Sequence, residues 1–202
     1  MPNARPKTRE SHPETARDRL IAAAVESFAA KGFHGTTTRD IASAAGMSPA
    51  ALYVHYASKE ELLYQISRSG HDVTLRLLRE GAASSDDPME QLLAAVRGFT
   101  TYHARGHTSA RIVNYELSAL SAEHYEEIRA IRRTINQQMR RIVEAGVAAG
   151  VFHTPNPRMT ALALLSLGVD LARWYRDDGE WSDQEIADHY CELALRIVGA
   201  RP

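Results

Sequence analysis

Residues Thr36–Leu63 read TTTRDIASAAGMSPAALYVHYASKEELL, two short apolar-periodic segments joined by Ala45-Gly46-Met47 and followed at once by a third with its own start signal. Thr37 or Thr38 can cap a first helix that carries Ile41, Ala42 and Ala45 on one face, and Gly46 supplies a left-handed exit. Ser48 then caps a second helix. Pro49, at the first helical position, loses no hydrogen bond and presets its own φ. Leu52 and Tyr56 lie four apart and face inward, which leaves Ala50 and Tyr53 pointing away, free to enter a groove. Ser58 to Glu61 has the pattern of a capping box, and it puts Lys59 in the first turn of the third helix, beside backbone N–H groups that favour an anion such as a phosphate. The unit is a helix-turn-helix.

A glycine between two short helices also occurs in bundles that bind nothing. Here cap, proline, tyrosine, histidine and lysine fall together at one spacing, and at these residues the chain resembles the TetR family of one-component bacterial repressors. The family signature runs through T-T-x-x-x-I-A-x-x-A-G and L-Y-x-H-[FY]-x-[ST]-K-E-x-L, and the match extends from Leu20 to Leu63. The resemblance implies base-edge or groove contacts from Arg39, Ser48, Pro49, Ala50 and Tyr53, and phosphate contacts from Thr38, His55 and Lys59. Tyr53 has a second reading as a core aromatic, but Leu52 and Tyr56 already fill the inward face. His55 is equally readable as a plain surface histidine.

With 202 residues and 44% apolar content the chain can bury a substantial core in one or two domains. There is no run of eighteen or so apolar residues and no apolar stretch of signal-peptide type near the N-terminus, so a cytoplasmic protein is expected, with no membrane partner. The single cysteine, Cys191, sits in DHYCELALRIV among apolar neighbours and is expected to be a small core residue rather than a redox sensor.

A net charge of −1 conceals an asymmetry along the chain. Residues 1–59 carry eight Lys and Arg against five Asp and Glu, an excess of three, so the other 143 residues carry −4. Arg5, Lys7 and Arg9 belong to an arm, 1–13, expected to be flexible and able to reach DNA backbone or minor groove, or else to be a solvated tail. So modest a positive charge implies affinity shared between two heads of a dimer.

Beyond Leu63 the helical period continues with few strand signals. Leu62, Leu63, Ile66, Val73 and Leu77 share a face of a long helix that should link the domains. The cluster Gly81–Pro88 is expected to be a loop, with Asp87-Pro88 opening the next helix, which Gly106 ends. Arg111–Leu120 is expected to be helical, Ser121 to cap a long helix through Ala149, and Asn156-Pro157 to start another. Residues 157–177 are apolar nearly all round and must be buried on two sides. Ser182 to Glu185 is a capping box for the last helix. The expected fold is all-α with about nine helices, divided into the arm 1–13, a DNA-binding domain 14–60 and a ligand-binding and dimerisation domain 61–202. Two C-terminal helices too apolar to face water are most simply buried against a second copy, as a homodimer. Such a dimer would place two reading helices roughly 34–36 Å apart on a pseudo-palindromic double-stranded DNA operator.

Polar side chains set among apolar helical faces mark the candidate ligand site: Tyr102, His103, Arg111, Asn114, Tyr115 and Glu116 in one stretch, and Arg173 and Trp174, with Asp170, in another. The stretch from Arg173, RWYRDDGEWS, together with Asn114-Tyr115-Glu116, resembles a TetR branch that represses fatty-acid or steroid-side-chain catabolism and is released by acyl-CoA thioesters. That resemblance implies Arg173, and less directly Arg176, as partners of the nucleotide or pyrophosphate. Where relatives often carry further arginine or tryptophan, this chain has Leu165 and Val169. Arg173 is equally readable as a salt bridge to Asp170 or Glu116. A rival effector class is the aromatic cation, met by Tyr102, Tyr115, Trp174 and Glu116, as in a multidrug-sensing repressor. A helical carrier or enzyme is a remoter alternative, since no nucleophile elbow, phosphate-cradling glycine loop or working carboxylate pair is visible. No cofactor is expected. His103 and His107 have metal-pair spacing, but Gly106 falls between them and no third ligand is evident. Arg129, Arg132, Arg133, Arg140 and Arg141 are expected to be the solvated face of the long helix.

Overall fold

A computed structural model describes residues 15–200, so the arm at 1–13 lies outside the described residues. Every regular element among them is helical. They form two compact units that divide between Lys59 and Glu60.

The first unit holds three helices. Thr15 and Asp18 form a capping box at the start of α1, Ala16–Gly35, which bends at Gly32. A second box, Thr37 with Asp40, opens α2, Thr38–Ala44, so Thr37 is the cap and Thr38 the first helical residue. Gly46 takes φ +67°, the left-handed conformation that lets the chain reverse before α3, Pro49–His55. Leu20, Ala24, Phe28, Ile41 and Leu52 are sealed from solvent and fill the space between the helices.

In the second unit α4, Lys59–Ala82, runs two residues past the expected loop boundary. Asp87 caps α5, Pro88–Arg105, and Gly106 separates it from α6, His107–Tyr115. The expected helix 111–120 is displaced. It begins four residues earlier, because Gly106 ends α5 without ending the helical path, and it gives way after Tyr115 to a 3-10 turn at Leu117–Ala119. Ser121 caps α7, Ala122–Ala148, and Asn156 caps α8, Pro157–Trp174. The Ser182–Glu185 box opens α9, Asp183–Ile197.

The main core cluster of this unit is built around α5, which packs against α7, α8 and α9 through Leu92, Val96 and Phe99, and a smaller cluster joins Ala104, Leu171, Tyr175 and Ile186. Cys191 is buried in it, with its thiol toward the Leu93 carbonyl. At Gly168 a Cβ would lie 2.2 Å from the Phe99 ring, so the absence of a side chain there sets how closely α8 approaches α5. The expectation that α8 is buried on two sides is not met within one chain. Leu164, Leu165 and Leu171 are buried, while Met159 is 65% exposed and Leu162, Leu167 and Trp174 also face outward.

Candidate functional site

In the first unit the side chains of α3 divide as the four-residue spacing requires. Leu52 and Tyr56 are buried, Arg17 lies over the Tyr56 ring, and the Ser48 hydroxyl accepts from the Ala51 amide at 3.1 Å. Arg39, Ser48, Pro49, Ala50 and Tyr53 are exposed; Thr38, His55 and Lys59 are partly so. Tyr53 is 55% exposed, and its hydroxyl pairs with that of Thr38 at 3.2 Å, which orients the phenol without burying it. Val54, 80% exposed beside it, was not singled out in the sequence. Its signal was an apolar residue on the outward arc, and such a side chain suits contact with a thymine methyl.

Lys59 differs from the phosphate role expected for it. Its ammonium donates to the carbonyls of Phe33 at 2.9 Å and Thr36 at 2.8 Å and lies over the Phe33 ring, so two of its three protons already satisfy the end of α1. Asp40 accepts from the Thr37 amide and hydroxyl and from Lys31 at 3.1 Å. Those bonds, Thr37 first, hold its carboxyl down at about 2.

In the second unit a cavity of about 740 Å³ lies among α4, α5, α6, α7 and α8, within the range of small-molecule sites. The apolar wall comes from Phe99, Val113, Ile135, Leu162, Leu165 and Val169. Of the candidates expected, Tyr102, His103, Asn114 and Tyr115 line it, and so does Asp170. Arg111, Glu116, Arg173 and Trp174 are outside the lining. Arg173 instead forms a two-bond ion pair with Asp170, at 2.8 and 3.0 Å, three residues apart on the exposed side of α8. This is the salt-bridge reading of that arginine. Each partner stabilises the other's charge, lowering the Asp170 pKa and raising that of Arg173.

Sequence reasoning missed His71, Thr74 and Arg132. His71 and Thr74 lie on the buried face of α4, where only apolar residues had been counted. Burial, the largest influence on each, pushes both His71 and His103 down to about 4, so both rings are neutral near pH 7. Arg132 was expected on a solvated face but lines the cavity.

With Asn114, Tyr115 and Asn136, Arg132 also lines an adjoining cleft of about 840 Å³ that includes Arg129 and Arg133. A smaller cleft, about 320 Å³, shares Asn136 and Leu162 with the cavity and adds Arg140 and Arg158. Arg129 pairs with Glu126 and Arg140 with Glu144, whereas among the described residues Arg132, Arg133 and Arg158 have no carboxylate within 4 Å. The apolar cavity thus opens beside uncompensated guanidinium groups.

A helix-turn-helix unit joined to a helical unit with an effector-sized cavity defines a ligand-responsive DNA-binding regulator. Residues 20–66 match the model of bacterial regulatory proteins of the tetR family, and residues 85–198 match that of the tetracyclin repressor-like C-terminal domain. The HTH-type transcriptional repressor KstR2 of Rhodococcus jostii is 32% identical over 183 residues, 89% of each chain. KstR2 of Mycolicibacterium smegmatis is 27% identical over 92% of this chain and 91% of its own. A tetR-family regulatory protein from Rhodococcus RHA1 superposes with a TM-score of 0.88 at 43% identity, covering 94% of this chain and 100% of that one. AibR, solved in complex with isovaleryl coenzyme A and operator DNA, shares the fold at 23% identity, with a TM-score of 0.82 over 93% of this chain and 100% of its own. The chain belongs to the TetR family: it is a DNA-binding transcriptional regulator and not an enzyme.

Proposed function

We propose that this protein is a cytoplasmic homodimeric repressor that binds a pseudo-palindromic operator through α2 and α3 and is released by a CoA thioester. Arg39, Ser48, Pro49, Ala50 and Tyr53 read the groove, with Val54 added, and Thr38 and His55 meet phosphates. The observation that carries the effector reading is the apolar cavity sharing Arg132 and Asn136 with clefts that contain Arg133 and Arg158. An acyl group fits the cavity, and phosphates suit unpaired guanidinium groups. AibR, which shares the fold and was solved with isovaleryl coenzyme A, supports a ligand of this class. The phosphate partners proposed are therefore Arg132, Arg133 and Arg158 rather than Arg173, whose charge is already met by Asp170.

The aromatic-cation alternative is weakened by the same geometry. Glu116 is outside the cavity, and the one lining carboxylate, Asp170, is neutralised by Arg173. Because α4 starts at Lys59 and lines the cavity through Gly70, His71 and Thr74, ligand contacts that shift this helix are passed along it toward the reading unit. A coupling of about 1–3 kcal/mol suffices for a useful switch.

The test is thermal stability with octanoyl-CoA against octanoic acid. At a ligand concentration of about 100 Kd, binding adds roughly 2.7 kcal/mol. A rise in Tm with the thioester alone is expected, and Arg133→Met with Arg158→Met should abolish most of it while leaving the ligand-free Tm unchanged. An equal response to the free acid, or none to the thioester, would overturn the CoA reading.

A further inference from the structure

The polar groups of the cavity wall share an orientation. His71 Nδ1 lies 2.7 Å from the Ser67 carbonyl and His103 Nδ1 lies 2.8 Å from the Phe99 carbonyl, each four residues back on its own helix. A carbonyl only accepts, so both Nδ1 atoms carry the proton, and in a neutral ring Nε2 is then a lone-pair acceptor. Thr74 gives its hydroxyl proton to the Gly70 carbonyl at 2.9 Å, Ser166 to Leu162 at 2.8 Å, and the Asn114 amide donates to Ala110 at 2.8 Å. The ring N–H of both histidines, the two hydroxyl protons and one of the two Asn114 amide protons turn back onto their own helices, so at the two histidines what remains for the cavity is an acceptor.

His71 and His103 are only 5% and 4% exposed, both line the cavity, and the hydrogen bond that each ring makes among the described residues is through Nδ1, which leaves Nε2 for a ligand. Burying an acceptor without a hydrogen bond is costly, and a ligand that expels water from the cavity leaves these nitrogens bare unless it brings a donor. A keto, ester or carboxylate oxygen placed there would meet lone pairs. The groups that face His71 are Arg132, which disfavours its protonation, His103, which acts in the same direction, and Asp72, which opposes them. Donors for a ligand oxygen lie elsewhere in the wall, at Arg132, at Tyr102 and at the second amide N–H of Asn114 and of Asn136.

We propose that the buried part of the effector carries a hydroxyl group, which donates to Nε2 of His71 or His103, so that the cavity selects a hydroxylated apolar skeleton over its ketone or unsubstituted counterpart. This rests on the reading of the cavity as the effector site, and it specifies the ligand's buried end as the arginines specify its phosphate end.

The experiment uses the full chain with 15N-labelled histidine and two shape-matched probes, trans-decahydro-2-naphthol and trans-2-decalone. The alcohol is expected to bind about tenfold tighter or better, as loss of one buried hydrogen bond implies, and to shift the Nε2 resonance of His71 or His103 where the ketone does not. In His103→Gln or His71→Gln, whichever resonance moved, the new amide N–H can serve a carbonyl, so the alcohol preference should shrink or invert. Equal or tighter binding of the ketone, no binding of either probe, or binding that moves neither nitrogen would overturn the proposal. The CoA reading is judged separately by octanoyl-CoA against octanoic acid. Alcohol preference without thioester binding leaves the hydroxyl site standing alone, and thioester binding with ketone preference does the reverse.

Discussion

Lys59 shows how one side chain can be spent on structure at a position that resembles a contact residue. Its two bonds to the end of α1 and its place over Phe33 tie the start of α4 to the end of α1. Lys59→Met should therefore lower stability by about 1–3 kcal/mol, since two carbonyls lose a charged donor, and a Tm measurement checks it. A change confined to the salt dependence of DNA binding would instead restore the phosphate role. His71 and His103 supply a prediction in pH. Their folded pKa values, about 4, lie below the unfolded value of 6.5, so the unfolded chain binds more protons between those limits. Their contribution is intact above pH 6.5 and is lost as pH falls toward 4, roughly 3 kcal/mol for each at most. The Tm should drop over that window while histidine NMR signals of these two rings stay unprotonated to about pH 5. His124 acts in the opposite sense. Burial alone would lower its pKa, but Glu60, at 2.9 Å, with Glu61 and Glu127 outweighs it and raises the value. Its contribution is therefore present below the unfolded pKa and lost as pH rises through the folded one.

Helix starts were the most legible elements, because a cap is local chemistry. Ser48, Asp87, Ser121, Asn156 and Ser182 all accept from the amides expected of them. Helix ends and breaks were less so. Gly106 could end one helix or allow another to follow at once, and only packing of Ala110, Ile112 and Val113 into the core decides that α6 starts at His107. The approach of α8 to α5 is also a packing result, and it makes Gly168 a test. Gly168→Ala should destabilise by about 1–3 kcal/mol despite the better helix propensity of alanine, because its Cβ enters the space of the Phe99 ring. Denaturant unfolding checks the sign.

For the molecule as a whole, the outward apolar residues of α8 remain to be covered. Met159 and Trp174, with Leu162 and Leu167 at the rim of the cavity, lie on a helix whose other side is already in the core, and this is the face that the proposed homodimer would cover. Leu167→Glu should convert a dimer to a monomer in light scattering while leaving the helical circular dichroism of the chain intact. A variant that stays dimeric would move the interface elsewhere.

The all-α fold, the helix-turn-helix and the inward and outward sides of α3 follow from short-range features: caps, one glycine with positive φ, and four-residue spacing. These are set within a turn or two of chain, and so they are visible in the order of residues. The composition of the cavity is not of that kind. Tyr102, His103, Asn114 and Tyr115 were visible as polar groups on apolar faces, but His71 and Arg132 reach the same space from α4 and α7, residues far apart in the chain. Which of Arg173's possible partners, Asp170 or Glu116, takes it, and which arginines are left uncompensated, depends on distances between side chains that no spacing encodes. Tertiary packing alone determined those pairings, because burial and Coulomb energy depend on what the other helices bring near.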